Sequence, residues 1–224
     1  MKSVRLKGIV LRSIDYKENS KICYLLTEYG MISLRALGTK GYKNKNFNFS
    51  EILNNCEMEI TDSDFPSLID FTLINRYENI KKNIESLSYV SMMLEATRAL
   101  NGNLPYKRIY EFLINILNLI ESGRDAKKLA AVYLIKLLMP LGVKPNFDFH
   151  NQEDDYKNFS LGQAYFQKNT KFYYELEEIK RIYYFDIKQD VENLIINLND
   201  IYNFIYEYYM YHLDINLKKF NVLI

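Results

Sequence analysis

The stretch SKICYLLTEYGMISLRAL, residues 20–37, contains two runs of mainly apolar residues that flank the short segment 28–30. Gly30 can adopt a positive φ at little cost, so residues 28–30 are expected to form a tight turn. After this turn apolar and polar residues alternate, as in a half-buried strand, and the apolar positions are Ile32, Leu34 and Ala36. The stretch therefore predicts an antiparallel β-hairpin.

Strand patterns also occupy most of the chain before residue 80. Residues 4–8 alternate apolar and basic side chains and lead into the apolar run 9–11. Residues 51–61 alternate apolar and polar, largely acidic, side chains, and residues 67–75 form a fifth run. Five short antiparallel strands in about 80 residues predict a small barrel or sandwich, with an OB-type barrel as the leading candidate.

After residue 80 the spacing of apolar residues changes to that of helices. Helices are predicted over residues 80–97, 105–121 and 125–141, and from Asp186 onward, with Gln189 at the capping-box position. Residues 146–180 fit neither pattern and are predicted to form a loop with one or two short strands. The predicted fold class is α+β: an OB-type nucleic-acid-binding barrel over residues 1–79, then an all-α domain over residues 80–224 that contains this irregular insertion.

The chain of 224 residues has a net charge of +1, but its charges are unevenly distributed. Residues 1–45 hold ten Lys or Arg and three Asp or Glu, whereas residues 46–80 hold one Arg and seven Asp or Glu. A chain that is nearly neutral overall can therefore present a basic face to a polyanion. The alternative is that the two sets of charges intermix on the folded sheet and cancel.

Several classes of protein are disfavoured by composition and motifs. No apolar stretch approaches the roughly 18 residues of a membrane span, and no apolar run of a secretory signal follows the basic N-terminal residues. Cys23 and Cys56 are too few for a disulfide framework or a four-cysteine zinc site. Neither His150 nor His212 has a nearby cysteine or paired carboxylate, and no phosphate-binding or G-x-S-x-G motif occurs. We therefore expect a cytoplasmic protein that has no catalytic residues or cofactor and is not an enzyme.

The loop between the predicted third and fourth strands contains Lys40, Lys43 and Lys45 together with Tyr42 and Phe47, and no acidic residue. Such a segment is expected to project into solvent. Lysines can meet phosphates, and either ring can stack on an unpaired base, which is worth about 1–3 kcal/mol. The loop therefore favours nucleic-acid binding, and the alternative is a flexible, solvated lysine loop.

Four short segments resemble the RecO family of bacterial DNA repair and recombination mediators. They are GIVLRSIDYKENS at residues 8–20, LTEYG at 26–30, LGTK at 37–40 and LIKLLMPLG at 134–142. The first three lie in the predicted barrel and the last in the predicted helical domain, in the order that the family has. The resemblance therefore spans the whole chain.

The resemblance implies a nucleoid-associated protein that binds single- and double-stranded DNA, promotes strand annealing and helps to load a recombinase. The implied partners are RecR, often RecF, and the acidic, apolar C-terminal tail of single-stranded DNA-binding protein. No association with a membrane is implied. Lys40, Lys43 and Lys45 are assigned to the phosphate backbone, with Arg12 and Arg35 as supporting charges.

The implied tail-binding site needs an apolar pocket rimmed by cations. We expect it in the helical domain, around Arg124, Lys127, Lys128 and Tyr133. Arg124 and Lys128 are four residues apart, a spacing that places them on one side of a helix. The alternative is that Lys127 and Lys128 are an ordinary solvated helix start.

The chain departs from the family at a zinc-binding loop. Many RecO proteins carry two C-x-x-C pairs there, whereas the corresponding positions here resemble His150 and Glu153 for the first pair and fall near Tyr165 and Lys168 for the second. Because Tyr and Lys are not structural zinc ligands, we expect no metal site in this degenerate loop. Two other functions stay open: an RNA-binding or translation-associated OB protein, and a scaffold whose barrel binds protein.

Overall fold

A computed structural model describes residues 2–39, 45–145, 158–160 and 173–220 of the chain, which forms two compact units. The first unit, called here the barrel unit, comprises Met1–Asn79 and Thr97–Asn118. The second, the helical unit, comprises Ile80–Ala96 and Leu119–Ile224. The sequence predicted one boundary near residue 80; the structure divides the chain there and, in addition, returns residues 97–118 to the barrel unit.

The barrel unit contains a five-stranded sheet with the strand order β3-β2-β1-β4-β5, in which all neighbours are antiparallel. Its strands are β1 (Ser3–Tyr16), β2 (Ser20–Thr27), β3 (Met31–Leu37), β4 (Asn55–Thr61) and β5 (Leu68–Asn75). The edge strand β3 meets the start of β5 in a parallel bridge between Arg35 and Ser67, and the Arg35 amide donates to the Pro66 carbonyl at 2.9 Å. A five-stranded antiparallel sheet that closes in this partial way is an OB-type barrel, so the predicted fold class is confirmed.

The long strand β1 serves both halves of the barrel, because its first part pairs with β4 and its second part with β2. Gly8 lies where the two pairings overlap, opposite Thr27 on one side and Cys56 on the other. A Cβ at Gly8 would lie 3.0 Å from both Met58 Cε and Thr27 Cγ2, so a larger residue here would fit only if these side chains shifted. The enclosed apolar core consists of Leu6, Val10, Cys23, Leu25, Leu34, Ala36, Phe49, Cys56, Met58, Ile60, Leu68 and Phe71.

Two helices complete the barrel unit. The short helix α1 (Lys45–Phe49) was not predicted, because its burial depends on a distant contact: the ring of Phe49 packs edge-on against Phe71 at 5.2 Å. Helices α2 (Glu78–Lys82), α3 (Ile84–Thr97) and α4 (Tyr106–Glu121) follow the sheet, and most of α2 and of α3 belongs to the helical unit. Residues 106–118 of α4 belong to the barrel unit, where the Tyr110 hydroxyl donates to Asn55 Oδ1 at 2.7 Å.

The helical unit is organised around α5 (Ala126–Leu137), whose side chains are almost all buried, as the apolar sequence predicted. It also contains α6 (Leu176–Tyr184), α7 (Leu198–Leu213) and two short paired strands, β6 (Asn158–Ser160) and β7 (Tyr173–Glu175). Among the described helices, none combines the length and the apolar character that a membrane crossing requires.

The predicted start of the last helix at Asp186 is wrong, because α7 begins only at Leu198. The apolar spacing after Asp186 imitated a helix, but side-chain acceptors interrupt it: Asp186 and Asp190 each accept a backbone N–H two residues ahead, at 3.0 and 3.2 Å. Such local bonds compete with helical ones. Asn197, which accepts the Asp200 amide, is the N-cap of the helix that does form.

Candidate nucleic-acid interface

The register of β1, β2 and β3 places six side chains in two rows on the outer surface of the barrel. Arg12 lies opposite Tyr24, which lies opposite Ser33. The neighbouring row has the same order across the three strands and consists of Ile14, Ile22 and Arg35. The intervening residue Cys23 is buried in the core, so these rows face outward. We call these six residues the barrel face; they include two arginines, one aromatic ring and no acid.

Arg35 is held in a defined orientation at one edge of the barrel face. Its Nη2 and Nε donate to Ser67 Oγ at 2.9 and 3.2 Å. Its guanidinium carbon lies 5.7 Å from the centre of the Phe65 ring, and 41% of Phe65 is exposed. The turn before β5 thus adds a second aromatic ring beside the arginine.

The barrel face extends toward the turn between β1 and β2. Tyr16, opposite Ser20, continues the outer surface by one more row, and Lys17 Nζ lies 5.4 Å from the centre of the Tyr16 ring. In OB folds this turn and the turn between strands four and five flank the oligonucleotide-binding surface. The chain therefore places a cation beside an aromatic ring at both borders of the barrel face.

A cavity of about 380 Å³ marks the acidic limit of this surface. Its lining includes Ser33 of the barrel face, Pro66 and the carboxylates of Asp62 and Asp64. Carboxylates repel a phosphate backbone, so the cavity is electrostatically unlike the rest of the barrel face.

The other outer surface of the same sheet is electrostatically different. Arg5 forms an ion pair with Glu59, with Arg5 Nη2 3.3 Å from Glu59 Oε2, and Lys7 lies opposite Glu57 in the register. Hydrogen bonds from Ser3 and Arg5 hold the pKa of Glu59 below its ordinary value. The charges therefore intermix here, as one interpretation of the sequence proposed. On the barrel face, by contrast, neither arginine has a described carboxylate within ion-pair distance.

Of the six residues that the sequence assigned to DNA, the structure brings Arg12 and Arg35 together on the barrel face. Lys40, Tyr42 and Lys43 lie outside the described residues; Lys45 begins α1, and its side chain also lies outside them. Tyr24 was not predicted as a site residue, although strand alternation indicates it: Tyr24 follows the buried Cys23 and must face the opposite side.

The residues assigned to the partner tail are mostly engaged within the helical unit. Arg124 Nη1 lies 2.7 Å from Asp190 Oδ1, and Lys128 Nζ donates to the Glu192 carbonyl at 3.0 Å. The Tyr133 ring is fully buried. Lys127, which is partly buried, places its Nζ 6.0 Å from the centre of the Tyr202 ring, whose hydroxyl donates to the Lys127 carbonyl.

Cys23 and Cys56 are buried free thiols of the barrel, and burial raises the pKa of Cys23 to about 11. Such a neutral thiol is a poor metal ligand. Within the described residues, no three His, Cys, Asp or Glu side chains are grouped to hold a metal ion. The family's zinc-loop positions lie outside the described residues: His150, Glu153, Tyr165 and Lys168.

Comparison with known proteins agrees with this architecture. Residues 1–77 match the family model for the Recombination protein O N terminal, and residues 81–220 match the one for the Recombination protein O C terminal. The chain belongs to the RecO family. A RecO-family protein of Bacillus cytotoxicus is 30% identical over 170 residues, which cover 72% of this chain and 68% of the relative. One from Bacillus mycoides is 29% identical over 168 residues, with the same coverage, and both are called DNA repair protein RecO.

Proposed function

We propose that this RecO-family chain is a DNA-binding recombination mediator. It binds single- and double-stranded DNA, promotes annealing, and helps to load a recombinase with RecR onto DNA coated by single-stranded DNA-binding protein. Family membership supports a role in DNA repair, without a catalytic step of its own. The observation that carries the proposal is the barrel face, an acid-free surface with two arginines and a central tyrosine.

The chemistry of the barrel face suits a nucleic-acid backbone with unpaired bases. Arg12 and Arg35 attract phosphates without reading sequence, as a mediator that acts on any damaged DNA requires. Tyr24 lies between them in the register and offers a ring on which a base can stack, worth about 1–3 kcal/mol. Lys40, Lys43, Lys45 and Tyr42 are proposed to extend this interface.

The partner tail is proposed to bind the helical unit, with RecR and RecF as further partners. Arg124 and Lys128 already neutralise Asp190 and Glu192, and Tyr133 is buried, so Lys127 is the member of the assigned cluster best able to meet an incoming carboxylate. The proposed tail site therefore depends on Lys127.

The proposal is tested by annealing of complementary strands that are coated with the cognate single-stranded DNA-binding protein. The Arg12→Ala/Tyr24→Ala variant is expected to anneal at least tenfold more slowly than wild type. Arg5→Ala/Tyr29→Ala removes another exposed cation and ring from the same unit and is expected to match wild type. Anisotropy with matched DNA and RNA oligomers separates the alternatives: tighter RNA binding favours a translation-associated protein, and binding of neither favours a scaffold.

A further inference from the structure

A second group of aromatic and cationic side chains lies in the helical unit, at the ends of α5 and α6. Tyr183 donates its hydroxyl to Met139 Sδ at 3.3 Å, and Lys136 Nζ donates to the Tyr183 carbonyl at 2.8 Å. Lys144 Nζ lies 5.2 Å from the centre of the Tyr183 ring, against which the Tyr184 ring packs edge-on at 5.1 Å. We call these five residues the Tyr–Lys patch.

The Tyr–Lys patch is exposed and carries net positive charge. Tyr184 is 66% exposed and Met139 is 62% exposed. Lys144 is exposed, and Lys136 is partly buried. Burial lowers the pKa of Lys136, and the facing carboxylate of Asp186 opposes this shift.

We propose that the Tyr–Lys patch binds an unpaired DNA strand, separate from the strand on the barrel face. This inference rests on the proposed DNA binding of the barrel. A base would stack on the exposed ring of Tyr184, and the lysines would meet the adjoining phosphates, which is how sequence-independent single-strand sites are built. The site would contribute little to binding of a fully paired duplex, whose bases are already stacked.

The shape and charge of the patch favour a strand over a peptide. An apolar peptide side chain gains affinity by filling a desolvated pocket, whereas Tyr184 and Met139 protrude into solvent. A protruding flat ring suits a base, which has two faces to stack. Two strand sites on one chain would raise the effective concentration of one strand near the other, which is what annealing needs.

The test counts bound oligonucleotides per chain by sedimentation at low salt. It uses a labelled octamer, within the roughly 4–16 nucleotides that one OB fold covers, so that one strand cannot fill two sites. Wild type is expected to bind two octamers, and the Lys144→Glu/Tyr184→Ala variant one, with annealing slowed at least tenfold. The barrel variant Arg12→Ala/Arg35→Ala is expected to keep one octamer, cross-linked by its iodinated base to Tyr184.

The matched control is Lys82→Glu/Tyr211→Ala, because Lys82 is exposed and Tyr211, at 65%, is as exposed as Tyr184. It should still bind two octamers, as should the conservative variant Lys144→Arg/Tyr184→Phe. If the double variant fails to fold, Lys144→Ala and Tyr184→Ala are each expected to weaken the second site at least threefold.

The inference is overturned if wild type binds only one octamer, or if the Lys144→Glu/Tyr184→Ala variant still binds two. Either result leaves DNA binding by the barrel intact. An acidic, apolar-ended peptide that loses affinity in the patch variant while the octamer count stays at two also overturns it, in favour of a protein partner. No octamer on wild type refutes the proposed function itself.

Discussion

Removal of the two arginines from the barrel face should change how DNA binding depends on salt. Each phosphate contact to a single strand contributes roughly 0.7 to the slope of log affinity against log salt concentration. The Arg12→Ala/Arg35→Ala variant loses two such contacts, so its slope is expected to be shallower by about 1.4. Between 50 and 200 mM salt, wild type should therefore lose about sevenfold more affinity than the variant does.

The chain supplies a control for this prediction in the same sheet. Arg5→Ala/Lys7→Ala also removes two cations, but Glu59 and Glu57 lie opposite them across the strands. Because these cations are already compensated, the slope should stay within experimental error of wild type. Ser67→Ala removes the oxygen that orients Arg35 at 2.9 Å but keeps the charge, so it should weaken binding at a nearly constant slope.

The assay is fluorescence anisotropy of a labelled single strand, titrated with each protein at several salt concentrations. Thermal midpoints verify that each variant is folded, since Arg35 also joins β3 to the start of β5. Equal slopes in wild type and Arg12→Ala/Arg35→Ala would remove the barrel face from the interface. An equal fall in the Arg5→Ala/Lys7→Ala control would show that total charge, and not the barrel face, governs binding.

Four further outcomes are expected. Tyr110→Phe removes the 2.7 Å bond to the buried Asn55 and should lower the free energy of unfolding in urea by about 1–2 kcal/mol; no loss would show that water replaces the hydroxyl. Elemental analysis should find no stoichiometric zinc. In a separate experiment, iodoacetamide should alkylate Cys23 far more slowly in folded than in unfolded protein at pH 8, because burial raises the pKa of this thiol to about 11. Lys127→Glu should weaken a fluorescent copy of the partner tail at least tenfold, about 1.4 kcal/mol, and equal affinities would place the tail elsewhere; Lys128 is left intact because it holds Glu192.

The barrel could be predicted from the sequence because its strands obey a simple rule. In the hairpin of β2 and β3, the core residues Cys23, Leu25, Leu34 and Ala36 recur at every second position, and Gly30 marks the turn. The start of α7 could not be predicted in this way, because the apolar spacing after Asp186 suits a helix equally well. Where the helix starts is decided by local hydrogen bonds to side chains, such as the one that the Glu192 amide donates to Asp190. The spacing of apolar residues carries no information about these bonds.

The site was predictable only in part, for a related reason. Composition identified Arg12 and Arg35 as members of a basic segment, but it could not separate them from Arg5, which belongs to the same segment. What distinguishes these arginines is the strand that lies opposite each of them in the sheet. Arg5 faces Glu59 of β4, which comes from the acidic segment, whereas Arg12 faces Tyr24 of β2, which does not.

One irregularity in β1 decides which residue reaches the barrel face. Ile9 pairs with Leu26 and Val10 with Leu25, but the next pair joins Arg12 to Tyr24, so Leu11 is an extra residue in the strand. In a regular strand, Ile9 and Arg12 would face opposite sides, because they are three positions apart. The bulge restores Arg12 to the outer surface while Leu11 stays buried. Without it, the arginine would point into the apolar core and the chain would lose one of the two cations on which the proposed interface depends.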